Sequence, residues 1–319
     1  MSKIIDLRLD FPPTKEKIAE TMKFFVLNKD RGGVANYARI FGPQWAASLG
    51  TNLELLESKS KEFSEERFTE FLLELASNIA ITPAQFERQL DEAGIEWGLI
   101  DNLDSDETAA QIAQLPHRLK GMVIFNPFDG GRAIRGLERA IKELGFLAVY
   151  ASPYRWGIKA DDPRFYPCYD RAGELGIPVF IYTAMNYRTD LPMDVGRPLY
   201  LDRVAMDFPD LRLVASCGGW PWVPELIGVA RRHQNVYIDT SSHRPRHLAR
   251  PGSGFEMLMQ FGNTLLQDQV VFGSGAGDLG LPIDRIVQEM NALPLKDEVK
   301  EKWLYRNARR LFKMNQGEE

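Results

Sequence analysis

Apolar and polar residues change rhythm several times along this 319-residue chain. At the N-terminus, Ile5, Leu7 and Leu9 alternate with Asp6, Arg8 and Asp10, the period of a strand whose two faces differ. After Pro13 the period becomes helical. Thr14 is a fitting N-cap for a helix to about Asn28, and Arg31-Gly32-Gly33 breaks it. Helical spacing returns from Asn52 to about Ala80, where Phe68, Phe71, Leu72 and Leu75 line one helix face. With few strand-like residues, positions 14–80 read as a helical insertion after the first strand, a lid or substrate wall.

From Thr82 the pattern is regular. Thr82-Pro83 opens a helix that Gly94 ends, and Ile95–Asp101 follows as a strand. The chain then repeats helix and short apolar strand, with strands at Leu119–Phe125, Phe146–Tyr150, Ile177–Tyr182, Leu211–Ser216, Val236–Asp239 and Val270–Gly273. Two helical stretches, Ile283–Leu293 and Val299–Lys313, end it. About eight strands, each followed by a helix, imply parallel βαβ units, which close most economically into a (β/α)8 TIM barrel. A doubly wound open sheet is the alternative, but no strand runs into a Gly-x-Gly-x-x-Gly turn or phosphate loop. The expected organisation is one barrel domain over 1–315 with a disordered tail at 316–319.

Composition adds exclusions. A net charge of −5 with no basic patch argues against nucleic acid as partner. Two cysteines in so long a chain make no disulfide framework and fit a reducing compartment. The N-terminus lacks a signal-peptide pattern, and there is no apolar run of about 18 residues to span a membrane. A cytoplasmic protein is expected.

In such barrels the chemistry sits at the C-terminal ends of the strands. Those ends carry Arg8 and Asp10, Asp101, Asn126, Tyr150 and Ser152, Tyr182, Ser216 and Cys217, Asp239 to His243, and Ser274 to Asp278. Trp220, Trp222, Phe11, Tyr154 and Trp156 fall in the neighbouring loops and suit a flat or cyclic ligand.

Several stretches resemble the amidohydrolase-related branch of the amidohydrolase superfamily, which includes aminocarboxymuconate-semialdehyde decarboxylase and resorcylate- or salicylate-type decarboxylases. They are Ile4-Ile5-Asp6, Asp162–Ala172 with Leu175–Ile181, Gly218–Trp222 with Glu225, Asn235–Ser241, Phe272-Gly273-Ser274 and Asn307–Leu311. The resemblance implies a metal site built from a His-x-His on the first strand, a histidine ending strands five and six, and an aspartate ending strand eight. The matching positions here are Arg8 and Asp10, Tyr182, Ser216 and Gly275, so every ligand slot is replaced. The four histidines, His117, His233, His243 and His247, lie elsewhere. A guanidinium in that place repels a dication and attracts an anion.

The leading expectation is therefore a hydrolase or decarboxylase-like lyase without metal or other cofactor, acting on a small aromatic or cyclic carboxylate. Arg8 holds the carboxylate, and Tyr182 and Tyr150 stabilise charge. Asp10, His243 or Asp278 moves the proton, and Ser216, Trp220 and Asp239 complete the binding surface. In the simplest structural reading, Asp6 and Asp10 merely neutralise Arg8, Tyr182 plugs lost volume, Cys217 packs in the core and Asp239 caps its strand. Two other readings stand beside it. One is a barrel that binds a small anion or a protein and has lost its chemistry; the other is an oxygen-only metal site rebuilt from Asp6, Asp10, Asp239 and Asp278, suited to Mg²⁺ or Mn²⁺. A homodimer is implied by the resemblance alone.

Overall fold

In the computed structural model, residues 3–29 and 32–314 are described; Arg31, in the expected break, and the tail at 316–319 lie outside them. Eight parallel strands form one sheet in sequential order. They are β1 (Ile4–Asp6), β2 (Ile95–Asn102), β3 (Leu119–Ile124), β4 (Ala148–Ala151), β5 (Val179–Tyr182), β6 (Leu213–Ser216), β7 (Val236–Asp239) and β8 (Val270–Val271). Between β8 and β1 the seam is made by three amides. Leu7 donates to the carbonyl of Phe272 at 2.9 Å, Gly275 to that of Arg8 at 2.9 Å, and Ser274 to the Asp6 carboxylate at 2.8 Å. The fold is the expected (β/α)8 barrel.

Inside it, Ile5 and Leu7, Trp97 and Leu99, Met122, Tyr150, Phe180, Val214, Tyr237 and Val271 pack with Ala308 and Leu311 from the last helix. Burying these apolar side chains is the principal driving force for closing the sheet.

Two compact units are distinguishable among the described residues: 3–10, 89–186 and 194–314 form the barrel, and those of 11–88 with Tyr187–Met193 form the other. The second unit is helical and carries its own core of Met22, Val26, Ala46, Leu56, Phe68 and Leu72. Its first helix, Lys15–Leu27, is capped by Thr14 as the sequence predicts. The helix Gly32–Ser48 is not anticipated, because Gly32-Gly33 at its start and the internal Gly42-Pro43 read as breaks. Phe11 belongs to this unit, edge-on to Phe86 at 5.9 Å.

Helix Pro83–Ala93 shows why boundaries in the repeating part were readable. Thr82 and Gln85 form a reciprocal capping box at its start, and Gly94 leaves it with φ +73, which only glycine adopts without strain. No helix among the described residues is long and apolar enough to cross a membrane.

Candidate active site

The first strand does not alternate as far as its sequence suggests. β1 ends at Asp6, and the chain bends at Leu7 and Arg8. Asp6 makes the bend: one carboxylate oxygen accepts the N–H of Arg8 at 3.0 Å and that of Ser274 at 2.8 Å. This is an aspartate turn that also ties β1 to the β8 loop. Asp6 is fully buried, and burial lifts its carboxyl above the ordinary range against the amides that favour its charge. Its second oxygen has no partner. Asp6, Arg8 and Asp10 thus do three different jobs instead of sharing one face.

Arg8 turns into the barrel mouth. Its guanidinium is paired with Asp101 at the end of β2 and lies over the Tyr150 ring, 5.0 Å from the centroid. Burial disfavours the Arg8 charge, but the charge of Asp101, with smaller help from Tyr150 and Asp278, more than restores it. The sequence reading assigned Arg8's neutralisation to Asp6 or Asp10; Asp101 performs it, because the β1–β2 register sets Asp6 beside Gly98 and brings the end of β2 alongside the bend. About a fifth of the Arg8 side chain stays accessible, leaving donors for a ligand. Gly273 permits the approach, since a Cβ there would lie 2.9 Å from Arg8 Cβ and 3.1 Å from Ser241 Cβ.

Asp10 stands open to water at the rim, accepting the N–H of Gly277 at 2.8 Å. The surrounding protein, then the like charge of Asp278, push its carboxyl up to about 7, while Arg8 pulls the other way. Asp278 itself is exposed and accepts from the Ser242 hydroxyl at 3.3 Å.

Opposite Arg8 lies an aromatic wall. Tyr150 is buried, which raises its phenol well above the ordinary value. Tyr154, just beyond β4 in the one-turn helix Pro153–Trp156, packs on Tyr182 with centroids 4.4 Å apart. The Tyr182 hydroxyl donates to the carbonyl of Met185 at 2.7 Å. Ser152 and Ser216 are buried with unpartnered hydroxyls.

On β7, Asp239 repeats the Asp6 arrangement. One oxygen accepts the N–H of Ser241 at 2.8 Å, the N–H of Cys217 at 3.1 Å and the Ser241 hydroxyl at 2.5 Å; the other is buried without a partner. This strand-end capping role is the simpler of the two sequence expectations for it. Cys217, pushed up to about 12 by burial and then Asp239, has its thiol 3.4 Å from the Ser242 hydroxyl. Such a thiol is a poor nucleophile. His243 faces the Cys217 carbonyl through Nε2 at 3.2 Å and packs edge-on to Phe255, and burial lowers its pKa to about 4. Trp220 donates its indole N–H to the Ser253 carbonyl at 3.2 Å.

Arg8, Asp101, Asp10, Asp278 and Tyr150 are therefore coupled by charge at one side of the mouth, with Tyr154 and Tyr182 in contact nearby. The sequence places Asp101 at a strand end and Tyr154 among the mouth aromatics, but assigns neither a role. Asp101 was legible as a carboxylate ending the strand next to Arg8; Tyr154 lay beyond a strand end, where orientation is not readable.

These residues do not fit a divalent metal. The Arg8 guanidinium stands at the mouth as a fixed cation, which repels a dication. Of the aspartates proposed for a rebuilt site, Asp6 and Asp239 each give one oxygen to backbone amides and keep the other unpartnered. Among the described residues no group of three His, Cys, Asp or Glu side chains is arranged to hold an ion.

Comparison with known proteins agrees with the fold. The family model described as Amidohydrolase matches residues 72–314. A decarboxylase of Emericella nidulans, orsB, is 24% identical over 131 residues, 38% of this chain and 35% of that protein, so the match spans about a third of its length. Among solved structures, an uncharacterized TIM-barrel protein of Bordetella bronchiseptica superposes with a TM-score of 0.68 at 24% identity over 98% of both chains. The 5-carboxyvanillate decarboxylase of Novosphingobium aromaticivorans, solved with manganese and 4-hydroxy-3-methoxy-5-nitrobenzoic acid, gives 0.62 at 18% identity, covering 98% of this chain and 96% of that one. At these identities the likenesses establish the fold.

Proposed function

The chain belongs to the amidohydrolase family, and from that premise we propose that it is a decarboxylase-like enzyme taking a small aromatic carboxylate without the divalent metal. The observation that supports this reading is Arg8, held between Asp101 and the Tyr150 ring at the barrel mouth. Its unused N–H groups receive the substrate carboxylate, and Tyr150, Tyr154 and Tyr182 provide surfaces for the ring. Asp10, with its carboxyl near 7, is protonated in a large fraction at neutral pH and supplies the acid. The proton adds to the ring carbon bearing the carboxylate. The bond from that carbon to the carboxylate breaks, its electron pair returns to the ring and neutral CO₂ leaves. Because that charge disappears, a cation gripping the carboxylate too tightly stabilises the ground state. Asp101 shares the Arg8 charge and tempers this hold, so that Arg8 mainly orients.

A non-catalytic barrel is the second reading, favoured by two candidate acid–base groups being engaged with backbone carbonyls, Tyr182 with Met185 and His243 with Cys217. One experiment separates these. Chelator-treated protein is presented with a panel of aromatic acids, following both CO₂ release and ligand-induced thermal stabilisation. The proposal expects turnover that survives chelation and is lost in Arg8→Ala together with the thermal shift. A shift without turnover across the panel supports the binding-only barrel. Turnover that returns only on adding Mn²⁺, or a shift unchanged in Arg8→Ala, overturns the Arg8 assignment.

A further inference from the structure

Outside the barrel, between the ends of β2, β3 and β4, lies a cleft of about 390 Å³. Its walls are Leu103, Phe125, Leu137 and Trp156. Leu103 is 61% exposed, a large apolar side chain left open at the rim. Trp156 and Arg132 both line this space. The indole N–H of Trp156 is buried and unbonded. Arg132 makes no ion pair or hydrogen bond among the described residues, although most arginines of this chain are paired. Arg132 also lies in the first turn of Gly131–Lys142, a helix with no side-chain cap at its N-terminus.

We propose that this cleft is a second binding site, for a small aromatic monocarboxylate. The apolar walls call for a ring, and the volume accommodates one or two fused rings. Arg132 and the uncapped helix start call for an anion. Asp129, also at the rim and held by the Asn126 amide at 3.2 Å, repels a dianion and so selects against phosphate.

The cleft is connected to the mouth through one element. In the turn Pro153–Trp156, Trp156 looks into the cleft and Tyr154 packs on Tyr182. A ligand against Trp156 therefore bears on the wall of the candidate active site. This inference does not rest on the decarboxylase reading.

The test uses full-length protein labelled with ¹⁵N-tryptophan and titrated with 2-naphthoate, following the indole N–H resonance of Trp156, identified by its loss in Trp156→Phe. The resonance shifts in the wild type and, with the same midpoint, in Arg8→Ala, whose mouth has lost its cation. In Arg132→Ala, an exposed substitution that leaves the fold intact, the midpoint rises about fivefold or more. The proposal is overturned by a resonance that does not move at millimolar naphthoate. It is equally overturned by a shift that disappears in Arg8→Ala while Arg132→Ala retains the wild-type midpoint, which places the ligand in the mouth instead. Failure of the Arg8 reading alone leaves the Trp156 response in place, so the two ideas fail separately.

Discussion

At the scale of single residues, Asp10 is the group whose surroundings make the sharpest demand. Its carboxyl holds a proton more tightly in the folded chain than in the unfolded one, by reason of the enclosing protein and then Asp278. Between the ordinary carboxylate range of about 4 and about 7, the native state carries the extra proton. Over that window stability falls as pH rises. Asp10→Asn keeps an acceptor for Gly277 and removes the titration, so its stability should decline less than that of the wild type from pH 4 to 7 in denaturant titrations. Asp278→Asn relieves the like charge and should raise stability at pH 8 by about 0.5 kcal/mol, a small figure because both side chains meet water. A wild-type curve parallel to that of Asp10→Asn would refute the raised pKa. Arg8 and Asp10 were legible from sequence because their positions correspond to a recognisable slot. Asp101 was legible as a strand-end carboxylate, but its pairing with Arg8 was not, because a bend made by Asp6 cancels the alternation from which facing was deduced.

At the scale of elements, two strand ends are finished by the same device. Asp6 joins its own second-next amide to that of Ser274 beyond β8, and Asp239 joins its own second-next amide to that of Cys217 beyond β6. Each aspartate closes a seam and fixes the loop that presents site residues. Asparagine retains the accepting oxygen, whereas alanine leaves buried donors without partners. Asp239→Ala should therefore lose about 3 kcal/mol, and Asp239→Asn about 1 kcal/mol or less, measured from urea midpoints at unchanged slope. Equal losses in the two variants would show that charge, and not the amide contacts, is what matters. The strands and helices from Thr82 onward were readable because caps, terminal glycines and apolar runs agree with one another. Helix Gly32–Ser48 was not, since its stability comes from packing, with Ala38 and Ala46 buried against intrinsically poor helix composition. Asp239 was readable as a cap of its strand end, but which amides it and Asp6 accept from is set by loops distant in sequence.

At the scale of the whole molecule, the two ends of the chain meet in the barrel. Ile5 and Leu7 pack in one cluster with Ala308 and Leu311, and Asn307 donates its amide to the carbonyls of Val270 and Gln267 at 2.6 and 2.8 Å. Closure thus depends on residues some three hundred positions apart, the kind of long-range contact that forms late and makes folding slow. It also separates stability from chemistry, for these contacts brace the barrel while Arg8, Asp10 and the tyrosines occupy the strand ends where barrel enzymes act. Leu311 is fully buried, and truncating it leaves a cavity that neighbouring side chains fill only in part. Leu311→Ala should lose about 3 kcal/mol in urea denaturation. Under conditions where the variant remains folded, its affinity for aromatic carboxylates at Arg8 should stay within about twofold of wild type, as expected for sites with no shared partners. A variant that keeps its stability would show that the last helix is dispensable to closure. One that loses stability and affinity together would show that the two ends of the barrel are mechanically coupled, and that the mouth is held in shape from below.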